Sequence, residues 1–290
     1  MELMKVKLLA FDSMGVRSTA TVVYAGGLRV FVDPGISYAP RRYGLPPHRL
    51  ELERVRELKR VIYEEAYKAD VIVISHYHYD HYDPQADFYE GKILVIKHPE
   101  RNINISQRIR AAKFLKHKIS LPEKIYYADN LLLEVGSLRL KFSQPVPHGP
   151  EGSKLGYVVM TLIDDGNYKV LHTSDTQGPI SESVVEIIAG MKPNMIIDCG
   201  PPTYFEGYRV SSSDIERAIN NIIKLLSIPS LETLIIDHHT LRDLNYKHRL
   251  EKVFIKAREL GKRVLTAAEY MGKPIEQLEA MRRSLWQNLK

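Results

Sequence analysis

Short apolar, β-branched runs recur along the whole chain, and their length and alternation are those of strands. They fall at residues 5–11, 20–25, 28–33, 71–75, 93–97, 130–135, 137–143, 157–163, 168–173, 195–198, 233–237 and 263–266. Gly26-Gly27 and Asp165-Gly166-Asn167 sit between consecutive runs as hairpin turns. Hydrophobic residues return with helical spacing over 48–68, 105–116, 181–190, 213–226, 246–260 and 274–288. Val55, Leu58, Ile62 and Ala66 keep one apolar face on the first of these, and Ser213 to Glu216 has the S-x-x-E form of a capping box.

Hairpins come first, strands alternate with helices afterwards, and the second half partly repeats the first. That order predicts mixed sheets covered by helices, an α/β (α+β) sandwich rather than an all-parallel doubly wound sheet. No internal repeat, low-complexity tract or Gly/Ser linker divides the chain, so residues 1–290 read as a single domain.

Composition narrows the class. With 44% hydrophobic and 26% charged residues, 290 positions can build one large core. No run approaches the roughly 18 apolar residues of a membrane span, and the opening twelve residues are too short for a signal peptide. A cytoplasmic protein with no membrane contact is expected. The single cysteine, Cys199, can form neither an internal disulfide nor a zinc knuckle and reads as a small core residue. The net charge of +6 favours a small anionic substrate such as a phosphoester. Basic and acidic residues are interleaved, as over 51–68, which makes nucleic acid a possible but less favoured partner. Dense mixed charge also suits a protein that works hot.

The segment Val71-Ile-Val-Ile-Ser-His-Tyr-His-Tyr-Asp-His81 stops a buried strand at a cluster of three histidines and an aspartate. Imidazole and carboxylate are the usual ligands of zinc, iron and manganese. Residues i and i+2 of a strand share a side, so His76 and His78 can converge on one metal as the strand ends. A following turn into helix can bring Asp80 and His81 beside a second.

This H-x-H-x-D-H string closely resembles the second motif of the metallo-β-lactamase superfamily, and four further segments resemble the other motifs in order. Phe31-Val-Asp-Pro-Gly35 resembles the first, with Asp33 as the carboxylate that fixes a ligand histidine. Gln144-Pro-Val-Pro-His-Gly149 resembles the third and nominates His148. Leu171-His-Thr-Ser-Asp-Thr176 resembles the fourth, whose aspartate bridges two metals, here Asp175. Thr233-Leu-Ile-Ile-Asp-His-His-Thr240 resembles the fifth, in which either His238 or His239 can be the ligand. Set against the Thr-His-x-Ser-x-Arg form of tRNA-processing members, the string places the ligand at His238 and leaves His239 as its supporting neighbour. His172 reads as packed or as support behind a ligand, and His98, His117 and His248 as surface or helix residues.

The resemblance spans roughly residues 10–240 and implies a four-layer αββα sandwich holding two divalent metal ions, zinc before iron or manganese. By it, His76, His78 and His148 hold the first, Asp80, His81 and His238 hold the second, and Asp175 lies between. It implies a hydroxide held by the metal pair as nucleophile, with Asp80 as the catalytic carboxylate that orients it or takes its proton. Within the superfamily the pattern is most similar to an archaeal branch, and no particular substrate is implied. Between the third and fourth motifs there is no room for the inserted β-CASP domain, and no flavodoxin-like segment follows. Asp12-Ser-Met-Gly-Val-Arg-Ser18 and Gly200-Pro-Pro-Thr-Tyr204 resemble loops of the ribonuclease Z branch, so a phosphodiesterase or ribonuclease of that type is the alternative to a small-molecule hydrolase. A non-catalytic binding module is the third reading. Serine-hydrolase, P-loop and dinucleotide-binding motifs are missing. The segment 34–47, with Tyr38, Arg41, Arg42 and Tyr43, is a candidate border of the site, its arginines meeting a substrate anion; Tyr77, Tyr79 and Tyr82 are candidate pocket walls or core.

Overall fold

The computed structural model describes residues 4–287. Its first sheet runs in the order β1 (Lys5–Phe11), β2 (Thr19–Ala25), β3 (Leu28–Val32), β4 (Val71–Ile74), β5 (Ile93–Ile96), β6 (Lys124–Tyr127). The first three strands pair antiparallel and the rest join in parallel. Its chain-order successors are β7 (Leu132–Val135), β8 (Leu138–Phe142), a short pair β9 (Val146–Pro147) and β10 (Tyr157–Val158), then β11 (Thr161–Asp164), β12 (Lys169–His172), β13 (Met195–Asp198), β14 (Thr233–Ile236) and β15 (Arg263–Leu265). The second sheet has the order β15-β14-β13-β12-β11-β8-β7, parallel from β15 to β12 and antiparallel from there to β7. Each sheet therefore joins an antiparallel half to a parallel half, which is the partial repeat seen in the hydrophobic pattern.

The helices are α1 (Arg49–Tyr67), α2 (Ile105–Lys118), α3 (Glu182–Met191), α4 (Ser212–Leu226), α5 (Tyr246–Arg249), α6 (Glu251–Glu259), α7 (Ala267–Tyr270) and α8 (Arg282–Gln287). Strand alternation sorts the second sheet into two faces. Val170, Ile197 and Ile235 pack with Val22, Phe31 and Val73 of the first sheet. Leu171, Ile196 and Leu234, one step along, pack instead with Val185, Ile222 and Val253 of α3, α4 and α6. Leu58, Ile62, Ala111 and Phe114 bring α1 and α2 onto the first sheet. The result is a four-layer sandwich of two mixed sheets between helices. Each buried Val, Leu, Ile or Phe among these contributes about 1.5–3 kcal/mol, so the sheet-to-sheet and helix-to-sheet interfaces both hold the layers together. No helix among the described residues is long and apolar enough to cross a membrane.

Several boundaries differ from expectation for local reasons. The cap of α4 is Ser211, whose hydroxyl accepts from Asp214 N at 3.1 Å, so the helix starts before the Ser213-to-Glu216 pattern. The run 246–260 breaks into α5 and α6 at Leu250. The run 274–288 yields only α8; residue 288 lies outside the described residues. The edge strand β6, Lys124–Tyr127, is absent from the expected strands, because its four residues, Lys-Ile-Tyr-Tyr, are partly exposed and carry no apolar-polar alternation.

The last helix fastens the loop that follows β3. Arg282 is fully buried and grips Glu51 through two nitrogens, at 2.8 and 2.6 Å. It also donates to the carbonyls of Leu45 at 3.1 Å and Ala39 at 2.9 Å. Arg282→Ala leaves Glu51 buried without its cation and is expected to lower unfolding free energy by about 3–5 kcal/mol in urea titrations; a loss below about 1 kcal/mol would contradict this. Gly35 is held as tightly: a Cβ there would collide with backbone atoms of His81 and Tyr82. Gly35→Ala should therefore displace the segment bearing Asp80 and His81, lowering both melting temperature and bound metal. Unchanged values of both would show that the segment is free to shift.

Candidate metal centre

The chemistry-bearing side chains leave the strands at one edge of the sandwich, just past their carboxyl ends. Asp12 follows β1, Asp33 follows β3, His76 follows β4, His148 follows β9, Asp175 follows β12, and His238 and His239 follow β14. In α/β sheets this edge is where successive loops turn away from each other and leave room for a ligand. Four of the turning residues, Asp33, Ser174, Gln177 and His238, have φ between 48° and 61°. Left-handed backbone at non-glycine residues is strained, and here it aims side chains inward instead of continuing each strand.

Among the described residues four groupings of donor atoms result, each with every atom within 4.8 Å of the rest. One joins His76, His78, His148 and Asp175; another joins Asp80, His81 and His238; a third joins Asp175, His238 and His239; the last joins Asp33, His76 and His81. Every residue proposed from the sequence as a ligand is thus in one contiguous cluster. Within it, His76 Nε2 lies 3.0 Å from His78 Nδ1, His148 Nε2 lies 2.9 Å from Asp175 Oδ2, and His239 Nε2 lies 2.6 Å from Asp175 Oδ1. His81 Nε2, His148 Nε2, His239 Nε2 and Asp175 Oδ1 are buried and make no hydrogen bond of acceptable geometry. Lone-pair atoms crowded together in this way are what a divalent cation would satisfy.

The far sides of the rings are tied down. Asp33 accepts from His81 Nδ1 at 2.8 Å, and from the backbone and hydroxyl of Ser75 at 2.8 and 2.6 Å. His76 Nδ1 is 3.1 Å from Ser75 Oγ, which in turn accepts from Ser174 Oγ at 2.6 Å. Asp12 holds His238 Nδ1 at 2.8 Å and Arg242 Nε at 2.8 Å. Tyr204 Oη lies 3.1 Å from His239 Nδ1. Such outer partners fix ring orientation and leave the inward nitrogen as the donor.

Electrostatics put most of the set in its ligand form. Burial, then the neighbouring histidines, push His76 well down; burial and His148 bring His78 down to about 3. Burial leads again for His238 and His239, the latter falling to about 4. Burial opposes ionisation of Asp80 and Asp175, but the surrounding histidines outweigh it and hold both well below the usual carboxylate range. His81 is the exception: burial acts against its charge, yet Asp33, Asp80 and Asp175 push it up to about 9.

Before the cluster lies a cavity of about 420 Å³, a size that suits a small molecule. Asp80, His78, His148, Asp175 and His239 reach its surface, whereas His76, His81 and His238 stand behind. Arg17, Arg110, Arg209 and Arg242 line it too. Arg41 and Arg42 do not: Arg41 is exposed, and Arg42 lies over the rings of Tyr43 and Tyr204 and donates to the Arg242 carbonyl at 3.1 Å. Tyr38 and Tyr79 are wall residues, while Tyr77 and Tyr82 are buried core. His172 is buried, with Nε2 3.2 Å from the Thr19 carbonyl and Nδ1 accepting from Ser174 N at 3.1 Å. Cys199 is buried and accepts from Gln177 N.

Sequence reasoning missed Asp12, Ser75, Ser174, Tyr204 and Arg242 as parts of this centre. Asp12 carries a readable signal, an aspartate just past an apolar strand like Asp33, and Arg242 closes the Asp-His-His-Thr-Leu-Arg string. The serines and Tyr204 carry none, because their partners lie on other strands or across the sheets and nothing local points to them.

The chain matches no family model. It is 43% identical over 288 residues to the UPF0282 protein of Metallosphaera sedula, covering 98% of this chain and 93% of the relative. It is likewise 43% identical over 286 residues to the UPF0282 protein of Korarchaeum cryptofilum, covering 98% and 95%. Among solved structures, the metallo-β-lactamase fold protein YhfI from Bacillus subtilis superposes with a TM-score of 0.56 at 14% identity, over 95% of this chain and 98% of that one. Unliganded yeast PDE1 superposes with a TM-score of 0.58 at 11% identity, over 92% and 98%. Two wide-ranging relatives fix the kinship and the solved structures fix the architecture: the chain belongs to the UPF0282 family and has the metallo-β-lactamase fold.

Proposed function

We propose that this protein is a metal-dependent hydrolase that uses two divalent cations to cleave an ester-like or phosphoester bond in a small anionic substrate. The observation that carries this reading is the buried cluster of donor atoms without well-aligned hydrogen bonds, His81 Nε2, His148 Nε2, His239 Nε2 and Asp175 Oδ1, of which His148, Asp175 and His239 reach the cavity surface. His76, His78 and His148 would hold one cation, Asp80, His81 and His238 the other, with Asp175 reaching both. Zinc suits the donor set, as do iron and manganese. When bound, such a pair acidifies a water and polarises the oxygen of the bond under attack.

The chain's own residues supply the rest. Asp80 faces the cavity, its carboxyl is held well below the usual range by the neighbouring histidines despite burial, and its Oδ2 comes no closer than 3.7 Å to His238 Nε2 and 3.9 Å to Arg242 Nη2. Its Oδ2 is therefore able to orient the attacking water and take its proton. Arg242, fixed by Asp12, keeps positive charge beside that atom through the reaction. Burial of His76, His81 and His238 excludes water from the rear of the site.

His238 and His239 divide the fifth motif between two roles. His238 joins Asp80 and His81 and has Asp12 behind its Nδ1, the arrangement of a supported ligand. Against it, Arg242 Nη2 lies 3.0 Å from His238 Nε2, whereas His239 Nε2 is unpartnered beside Asp175. Metal analysis of His238→Ala and His239→Ala separates them: loss of one equivalent in the first and none in the second is expected, and the reverse moves the ligand to His239.

The four cavity arginines also suit a phosphodiester, so a ribonuclease Z-type phosphodiesterase is the second reading. Hydrolysis of bis(p-nitrophenyl) phosphate alongside structured RNA distinguishes them, since a small-molecule enzyme cleaves only the first. In either case Asp80→Asn, purified with its metal, should lower turnover roughly 10²–10⁴-fold. Turnover equal to the parent protein at full metal content would remove Asp80 from the mechanism.

A further inference from the structure

The cavity arginines are of two kinds. Arg17 is neutralised by Glu279, through Nε at 2.5 Å and Nη2 at 2.6 Å. Arg242 is neutralised by Asp12 at 2.8 Å. Arg110 and Arg209 line the same cavity, yet among the described residues neither has a carboxylate within ion-pair distance. The only carboxylates on the cavity surface, Asp80 and Asp175, are committed to the metal cluster.

Both unpaired guanidiniums lie over aromatic rings. Arg110 stacks 4.8 Å from the centroid of Tyr79, and its Nη1 donates to the Tyr77 carbonyl at 3.1 Å. Arg209 lies 5.1 Å from the centroid of Phe205 and 5.3 Å from that of Tyr208. Stacking orders a guanidinium while leaving its N–H edge unspent, which suits it to two-point recognition of an oxyanion. Arg110 comes from α2 and rests on Tyr77 and Tyr79 of the segment carrying the histidine ligands, whereas Arg209 comes from the loop after β13. They approach the cavity from separate parts of the fold.

We propose that Arg110 and Arg209 are the substrate-anion clamp of this site, and that the substrate carries an oxyanion, phosphate or carboxylate, held by them in the cavity that fronts the metal cluster. This rests on the hydrolase reading for the identity of the ligand as a substrate, but not for the existence of the anion site. A guanidinium-oxyanion contact is charge-assisted, so each arginine should account for roughly a tenfold change in affinity, and salt should weaken it.

The test is calorimetric binding to the metal-replete full-length protein with two probes, phenylphosphonate and benzoate. Arg110→Ala and Arg209→Ala should each weaken one probe about tenfold, and the probe affected identifies the oxyanion as phosphate-like or carboxylate. Arg41→Ala, on an exposed arginine outside the cavity, should bind as the parent does. Arg110→Lys and Arg209→Lys, which keep charge but lose the fork, should fall between, showing that alanine has not simply unfolded the protein. Unchanged affinity of both probes in both alanine variants, or no binding of either probe by the parent protein, overturns the clamp. Arginine-dependent binding in a protein that hydrolyses nothing would leave the clamp standing and defeat the hydrolase reading instead.

Discussion

A buried ring nitrogen with a free lone pair and no donor is a liability of about 1–3 kcal/mol, and the edge of this sandwich concentrates several of them. His148 and His239 each point such a nitrogen at the same small volume, His81 turns its Nε2 there as well, and Asp175 adds an oxygen that makes no well-aligned hydrogen bond. A fold does not keep that arrangement for packing. Everything around it serves to hold it in place: the left-handed turns at Asp33, Ser174 and His238, the close approach of Gly35 to the His81 backbone, and the carboxylates behind His81 and His238. These supports come from both sheets, so the centre exists only when the two halves of the molecule are docked.

This explains what could be read from the sequence. The strand-then-ligand segment 71–81 is local, and its spacing alone places His76 and His78 on one side. The sandwich itself was legible because the strands are short and the hydrophobic pattern partly repeats. His148, Asp175 and His238 were reachable through likeness to ordered motifs, not through spacing, since nothing within those segments says which distant ligands they meet. Ser75, Ser174 and Tyr204 were illegible, because a serine at a strand end looks the same whether it caps a turn or ties a histidine down. Local strength also misled: the S-x-x-E pattern at Ser213 gave way to a cap at Ser211, and the helical spacing over 274–288 became a short helix that opens at Arg282, the residue paired with Glu51.

The arginines show how similar charges acquire different work from their partners. Arg17 and Arg242 are spent on Glu279 and Asp12 and shape the wall. Arg282 is spent on Glu51 and fastens the loop that bears Tyr38. Only where aromatic rings replace carboxylates, at Arg110 and Arg209, does a cavity guanidinium keep its charge for something outside the chain. Sequence position pointed to Arg41 and Arg42 instead, because proximity to the first motif says nothing about which way a loop turns.

Diffraction at the absorption edge of zinc, iron and manganese from crystals grown in each metal tests the central claim most directly. The account predicts two anomalous peaks about 3.5–4 Å apart, one beside His76, His78 and His148 and one beside Asp80 and His81, with Asp175 touching both. Crystals that take up metal elsewhere, or leave this cluster empty in the presence of all three, would contradict it.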